Sequence, residues 1–246
     1  MSNRSQKFLA IVKKETSQYF TTWSAYIIFA IVLFIAGLLF NTNSLAGEQK
    51  YSEKVLGSFF YDYSGIIMIA GLLLSMRLFA EEKQNGTDAL LMTAPVSERT
   101  LVYAKFCASA IFLAILLGIS LYMPLLVFIY GKISIMHILV GYLGLFLLGM
   151  SVLSIGNFAS TLAPNQWIAL ILSGVLLFLF LIMWTLEKIS GSSWGDVFGY
   201  LAIHHEHFQS FKDGLFSVKD FVFYLSFVLV FLELSICSLR FRRLGL

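Results

Sequence analysis

Long apolar runs separated by short polar stretches dominate this chain. Six stand out: Trp23–Phe40, Ser64–Phe79, Leu101–Tyr130, Ile135–Leu162, Trp167–Leu186 and Phe221–Leu239. A helix crosses a bilayer with roughly 17–25 apolar residues. Every run meets or approaches that length except the second, which must extend back to Tyr61 or forward toward Glu81. The third carries Pro124. The pattern predicts an all-α, polytopic membrane protein with six transmembrane helices.

Ahead of the first run, Phe8, Leu9, Ile11, Val12, Tyr19 and Phe20 are interleaved with Lys7, Lys13, Lys14 and Gln18. This spacing reads as an amphipathic helix lying on the membrane surface, with a disordered leader as the alternative. Ser44-Leu45-Ala46 follows the first run as small-x-small, the form of a signal-peptide cleavage site. The charged leader, however, reaches Thr22 and the run has spanning length, so the segment is expected to be retained as the first span.

Composition sharpens the membrane reading. Of 246 residues, 59% are hydrophobic and 13% charged, and mean hydropathy is +0.84. A soluble domain carries about 25% charged residues. A core of this length cannot bury that much apolar surface, so lipid must cover part of it. Cys107 and Cys237 fall inside apolar runs without metal spacing and read as unpaired helix thiols.

The placement of charge predicts topology. Arg4, Lys7, Lys13 and Lys14 precede the first span, Arg240, Arg242 and Arg243 follow the last, and Arg77, Lys83, Arg99 and Lys105 flank the second loop. Six spans put these eleven basic residues on one side against six on the other, Lys50, Lys54, Lys132, Lys188, Lys212 and Lys219. Both termini are therefore expected in the cytoplasm of a multi-pass cell-membrane protein.

Chemical motifs are sparse. No phosphate-cradling Gly-x-x-x-x-Gly-Lys-Ser/Thr run occurs, and Gly131-Lys132 lacks the upstream glycine. His205-Glu206-His207 is too tight for a zinc-protease helix, which needs histidines at i and i+4. A membrane-embedded enzyme has no nucleophile or metal constellation to work with here.

The second loop, Ala80–Thr100, is more informative. Asn85-Gly86 signals a turn. Thr87 can cap a short helix with Asp88 in its first turn. That helix runs through Leu90, Leu91 and Met92 until Pro95 stops it. Ser97 then caps the third span, with Glu98 at its positive end. Two destinations fit the leucines of such a helix: a groove on a partner, or the chain's own bundle.

The residues Met76-Arg77-x-x-x-Glu81-Glu82-Lys83-x-x-Gly86-Thr87-x-x-x-Leu91-x-x-x-Pro95-Val96-Ser97, followed by Lys105, resemble the second-to-third-span region of type-2 ABC exporter permeases. The similarity is to the branch containing the gliding-motility and nitrous-oxide-reductase accessory permeases. Phe208-x-x-Phe211-x-x-Gly214-x-x-x-x-x-Asp220 resembles the same branch, whereas Asp88 stands where that family more often has Glu. The resemblance is sharp only over about Met76–Lys105. It implies a single permease domain over 1–246, with an amphipathic segment 1–22, a coupling loop 80–100 and an external loop 187–220. It also implies ATPase-coupling roles for Glu81, Glu82, Gly86, Thr87, Asp88, Leu90, Leu91 and Pro95. Short external helices would dip into the outer leaflet. A second permease copy or a related permease would complete the pathway. An ABC ATPase subunit would bring ATP and Mg, leaving no cofactor or metal in this chain. The lipid bilayer is the other expected partner, and nucleic acid is not. A membrane anchor or assembly subunit without transport is the competing reading.

Several residues remain open. Glu233 lies within the last span, where an ionisable group faces water or the bundle interior. A pathway role and a buried structural contact both fit it. His204, His205 and His207 suit either a metal or a solvated loop cluster. His137, at the start of the fourth span, reads as interfacial. Ala110-x-x-x-Ala114-x-x-x-Gly118 and Gly141, Gly144 and Gly149 suggest close helix packing.

Overall fold

A computed structural model describes residues 2–45, 52–88, 96–131, 133–190 and 193–243. These residues form helices and turns, with no strand among them. Helix α1 spans Ser2–Thr21. Next come α2, Trp23–Leu39, with a π-helical end over Phe40–Leu45, then α3, Ser52–Ser75, and α4, Ala80–Gln84. Beyond the second loop lie α5, Glu98–Ser120, α6, Tyr122–Tyr130, α7, Ile135–Leu162, and α8, Gln166–Ser190. Two short helices, α9, Ser193–Leu201, and α10, Phe208–Lys212, lead into α11, Val218–Arg243. Among the described residues, six helical stretches are long and apolar enough to cross a membrane.

The second stretch, Ser52–Gln84, begins well before Ser64. Polar residues masked its start in the sequence. Val55, Leu56, Phe59, Phe60 and Tyr63 lie on one helical face and are buried, while Glu53 and Lys54 turn outward. Pro124 breaks the third stretch. It has no N–H for the carbonyl of Ser120, so Leu121 N bonds to Gly118 O and a new helix begins. Ala163, extended before Pro164, ends α7.

Helix α7 is the axis of the bundle. It packs against α3, α5, α8 and α11, and 72% of its spanning window is buried, against 17% for α8. Glycine makes the close approaches possible. A Cβ on Gly141 would lie 2.2 Å from the Phe60 ring, and one on Gly144 would lie 2.4 Å from Phe211.

The Ala110-Ala114-Gly118 face behaves otherwise. Ala114 and Gly118 are exposed, and no atom within 4 Å would meet a Cβ on Gly118. Small residues here leave a surface open rather than seating a neighbour within the chain. Trp23, Ile27, Ile31 and Phe34 on α2, with Trp167, Ile171, Val175 and Phe178 on α8, form exposed apolar rows. Rows of this length require lipid or another protein as solvent.

Helix α1 is formed as expected and packs along α5. Tyr19 is buried against Phe112, with ring centroids 5.0 Å apart, and its hydroxyl donates to Leu74 O. Burial pushes the Tyr19 phenol well above its usual range, which keeps it a donor.

His137, at the start of α7, is buried within the protein. Its Nε2 lies 2.9 Å from Lys212 O. The turn after α10 covers it: Gly214 has φ +75, and a Cβ there would come within 2.6 Å of the imidazole.

Candidate functional site

Charged residues gather at the end of the bundle formed by α1, α4 and the C-terminus of α11. Three sets of contacts anchor the second loop there. The first centres on Lys105 of α5, whose side chain is 2% exposed. Its ammonium lies 3.1 Å from Glu15 of α1 and 3.0 Å from Glu82 of α4, and 5.3 Å from the centre of the Phe79 ring. Removing a lysine from water costs several kcal/mol unless it is paired and hydrogen-bonded. Two carboxylates from separate helices supply that pairing and thereby fix α1, α4 and α5 to one another.

The second set joins α4 to the end of α7. Ser160 Oγ accepts from Phe79 N and Ala80 N, both at 2.9 Å, which satisfies free N–H groups at the start of α4. In return, Lys83 Nζ donates to the carbonyls of Thr161 and of Ala163, the latter at 2.9 Å. These are among the unsatisfied acceptors at the negative end of α7. Each helix end therefore caps the other. Arg77 holds Glu81 through two bonds of 2.9 Å, bracing α4 against the turn before it.

The third set comes from the last turn of α11. Arg242 pairs with Asp88, and Arg243 Nη1 lies 2.6 Å from Glu98 Oε1 and 3.4 Å from Val96 O. Neighbouring arginines thus hold the chain on both sides of residues 89–95. Leu90, Leu91 and Pro95 lie outside the described residues. Gly86 forms the expected turn with φ +69, and Thr87 Oγ1 donates to Glu82 O at 3.2 Å. Ser97 caps α5 as expected, accepting from Thr100 N at 3.3 Å.

Of the residues singled out in the sequence, Glu81, Glu82, Gly86, Thr87 and Asp88 come together at this end. Glu233 lies apart, on the outer flank between α5 and α11, 3.7 Å from Arg99 and 3.5 Å from the Tyr103 hydroxyl. Glu15 and Ser160 were missed as site residues, and Lys83 and Lys105 were noted only within the motif. Glu15 had a readable signal: it occupies the face traced by Phe8, Val12 and Tyr19, where a carboxylate demands a buried cation.

The opposite end is aromatic. The three histidines near it turn to different partners. His204 Nε2 lies 2.7 Å from Ser64 Oγ, and burial lowers its pKa to about 4. His205 packs on Trp184, with ring centres 4.1 Å apart. His205 is exposed, as a solvated cluster requires, whereas His207 is fully buried and departs from that expectation. His207 stacks on Phe223 at 3.6 Å, with Nδ1 2.7 Å from Asp220 and Nε2 2.9 Å from Tyr200 O. A basin of about 960 Å³ opens nearby, with Glu53, Lys54, Asp62, Lys212 and Asp213 on its walls. It mixes both signs of charge and so favours no single ligand charge.

Six candidate spans, with α7 as their buried axis and a loop base clamped to four of the helices, define a polytopic membrane protein. Residues 13–181 match the family model described as ABC-2 family transporter protein. The match covers more than half of the sequence, and the chain belongs to that family: it is the membrane-spanning permease component of an ABC transporter. No curated protein matches it. The matched segment contains the loop base and most of its partners, and ends before α9, α10 and α11.

Proposed function

We propose that this chain is the permease subunit of an ATP-driven exporter in the cell membrane, one permease domain with both termini cytoplasmic. A second copy or a related permease completes the pathway, and separate ABC ATPase subunits bind ATP and Mg. The branch with the gliding-motility and nitrous-oxide-reductase accessory permeases is the nearest fit to the Met76–Lys105 motif. Residues 87–94 serve as the coupling helix.

The observation that carries this reading is the bracketing of residues 89–95. The chain on either side is tied to α11, and the α4 segment before it is tied to α1, α5 and α7. A force applied to the loop therefore reaches every one of these helices. ATP binding shifts the permease between conformations only if the docked ATPase favours one of them, and this clamp gives such a preference a path into the spans. Export direction rests on the resemblance.

Co-purification tests the proposal. In mild detergent the wild-type chain is expected to bring down a protein carrying a P-loop, and a cysteine at Ser2 is expected to resist an impermeant reagent in intact cells while one at Ser192 reacts. A chain that purifies with no ATPase, or that labels at Ser2 from outside, contradicts it and favours an anchor without transport.

A further inference from the structure

In the aromatic cap opposite the loop base, the hydrogen bonds of one histidine do not close with an ordinary neutral ring. A neutral imidazole has one N–H and one bare nitrogen that accepts. Both nitrogens of His207 face acceptors: Nδ1 lies 2.7 Å from Asp220 Oδ1, and Nε2 lies 2.9 Å from the Tyr200 carbonyl oxygen. The carbonyl can only accept, so Nε2 carries a hydrogen. A bare Nδ1 would then set its lone pair against those of a carboxylate. The His207 side chain is 0% exposed and that of Asp220 is 6% exposed, so water cannot supply the missing donor to the ring. Two opposed buried acceptors would bear their full desolvation cost. Nearby donors are committed: the Tyr224 hydroxyl donates to Ile203 O, and Lys219 pairs with Glu206 and lies over the Tyr200 ring. One more proton between Nδ1 and Oδ1 closes the count. Asp220 sits in the first turn of α11, where the positive end of the helix favours a charged carboxylate and so leaves that proton on the ring.

We infer that His207 is held as an imidazolium paired with the Asp220 carboxylate, a buried proton-binding site that locks the cap and gives up its proton when the cap opens. The ring ties α9, through the Tyr200 carbonyl, to α11, from its place just ahead of α10. Opening exposes the imidazolium, and above about pH 6.5 an exposed imidazole gives its Nδ1 proton to water. The closed cap therefore binds one proton more than the open cap, and its stability falls as pH rises. The titratable groups around the ring are Asp220 and Tyr224 of α11 and Tyr200 of α9, with Lys219 and Glu206 behind them. His204, on Ser64 of α3, responds to acid instead. The inference stands apart from the coupling reading, which concerns the other end of the bundle.

Two measurements on the purified full chain test it. With nitrogen-15 histidine, both ring nitrogens of His207 are expected to be protonated at neutral pH, the signal being assigned by its loss in His207→Gln. A bare His207 nitrogen overturns the inference. Hydrogen exchange across residues 200–212, corrected for intrinsic rates, is then followed from neutral into alkaline pH. One proton released per opening raises the opening equilibrium by about tenfold per pH unit. Asp220→Asn offers Nδ1 a covalent N–H and suits a neutral ring, so its opening releases no proton. The slope is expected to vanish in that variant, whatever its basal protection. A flat wild-type profile overturns the inference. An equal slope in Asp220→Asn assigns the effect to Lys219, Glu206 or the tyrosines and also overturns it.

Discussion

At one end of the bundle a lysine that is 2% exposed draws in carboxylates from two other helices. At the other, a buried histidine lies between an aspartate and a carbonyl of its own neighbourhood. The partners at the first end are far apart in sequence: 90 residues for Lys105 and Glu15, 80 for Lys83 and Ala163, and 154 for Arg242 and Asp88. At the second end, His207 is 13 residues from Asp220, and Tyr224 is 21 from Ile203. One end therefore joins separate spans through discrete charge contacts that can break and re-form. The other is a mostly locally packed aromatic cap, tied to α3 by His204 on Ser64 and to α7 by the Lys212 carbonyl on His137 and Phe211 over Gly144. Discrete, long-range contacts suit an element with two states, and local aromatic packing suits a fixed lid.

The largest break in this comparison is Lys105→Met. It leaves Glu15 and Glu82 buried without their cation, and losing one partner of a buried ionic set costs about 3–5 kcal/mol. A marked fall in Tm and in membrane-inserted protein is expected, partly reversed by adding Glu15→Gln and Glu82→Gln. A Tm equal to wild type contradicts the clamp. Asp220→Asn comes next. It weakens a charge-assisted hydrogen bond of about 1.5–3 kcal/mol, and hydrogen exchange should rise across α9 and α10 while the loop base stays protected. Equal loosening at both ends contradicts the separation drawn here.

Acid separates the ends by a third route. Burial lowers the His204 pKa from the ordinary 6.5 to about 4. The unfolded chain therefore takes up the proton first, and the contribution of the neutral ring is present above about pH 6.5 and is lost as pH falls toward 4. Hydrogen exchange across residues 200–212 is expected to rise over that window, and His204→Asn is expected to abolish the dependence. The smallest effect belongs to Glu233→Gln. Its pairing with Arg99 is half exposed, and such pairs contribute about 0–1 kcal/mol. Near-wild-type Tm and coupling are expected, and a clear loss of coupling puts Glu233 on the pathway after all.

The spans and their number were readable because apolar runs of spanning length are a strong signal. Ser97 marked its helix boundary through local chemistry, as the cap of α5. The start of α3 was hidden because half of its surface is polar, so hydropathy alone fell short where one-sided burial continued. The loop base was recognisable as a motif, but its partners were not. Glu15, Ser160 and Arg242 act across distances of 80 residues or more, and no local pattern reports such pairing. His207 misled for a related reason: a polar residue in a loop reads as solvated until Phe223 and Asp220 close over it.

The account depends on residues 87–94 carrying the ATPase, with Leu90 and Leu91 as the apolar contact. Fully burying a leucine contributes roughly 1.5–3 kcal/mol, so aspartate at both positions should weaken the dock by orders of magnitude while leaving the Lys105 contacts intact. The direct measurement is ATPase co-purification with the Leu90→Asp, Leu91→Asp double variant, normalised to the amount of permease in the membrane. The account predicts that the permease stays inserted at wild-type level and that the ATPase is lost. Equal recovery of the ATPase with the double variant contradicts it.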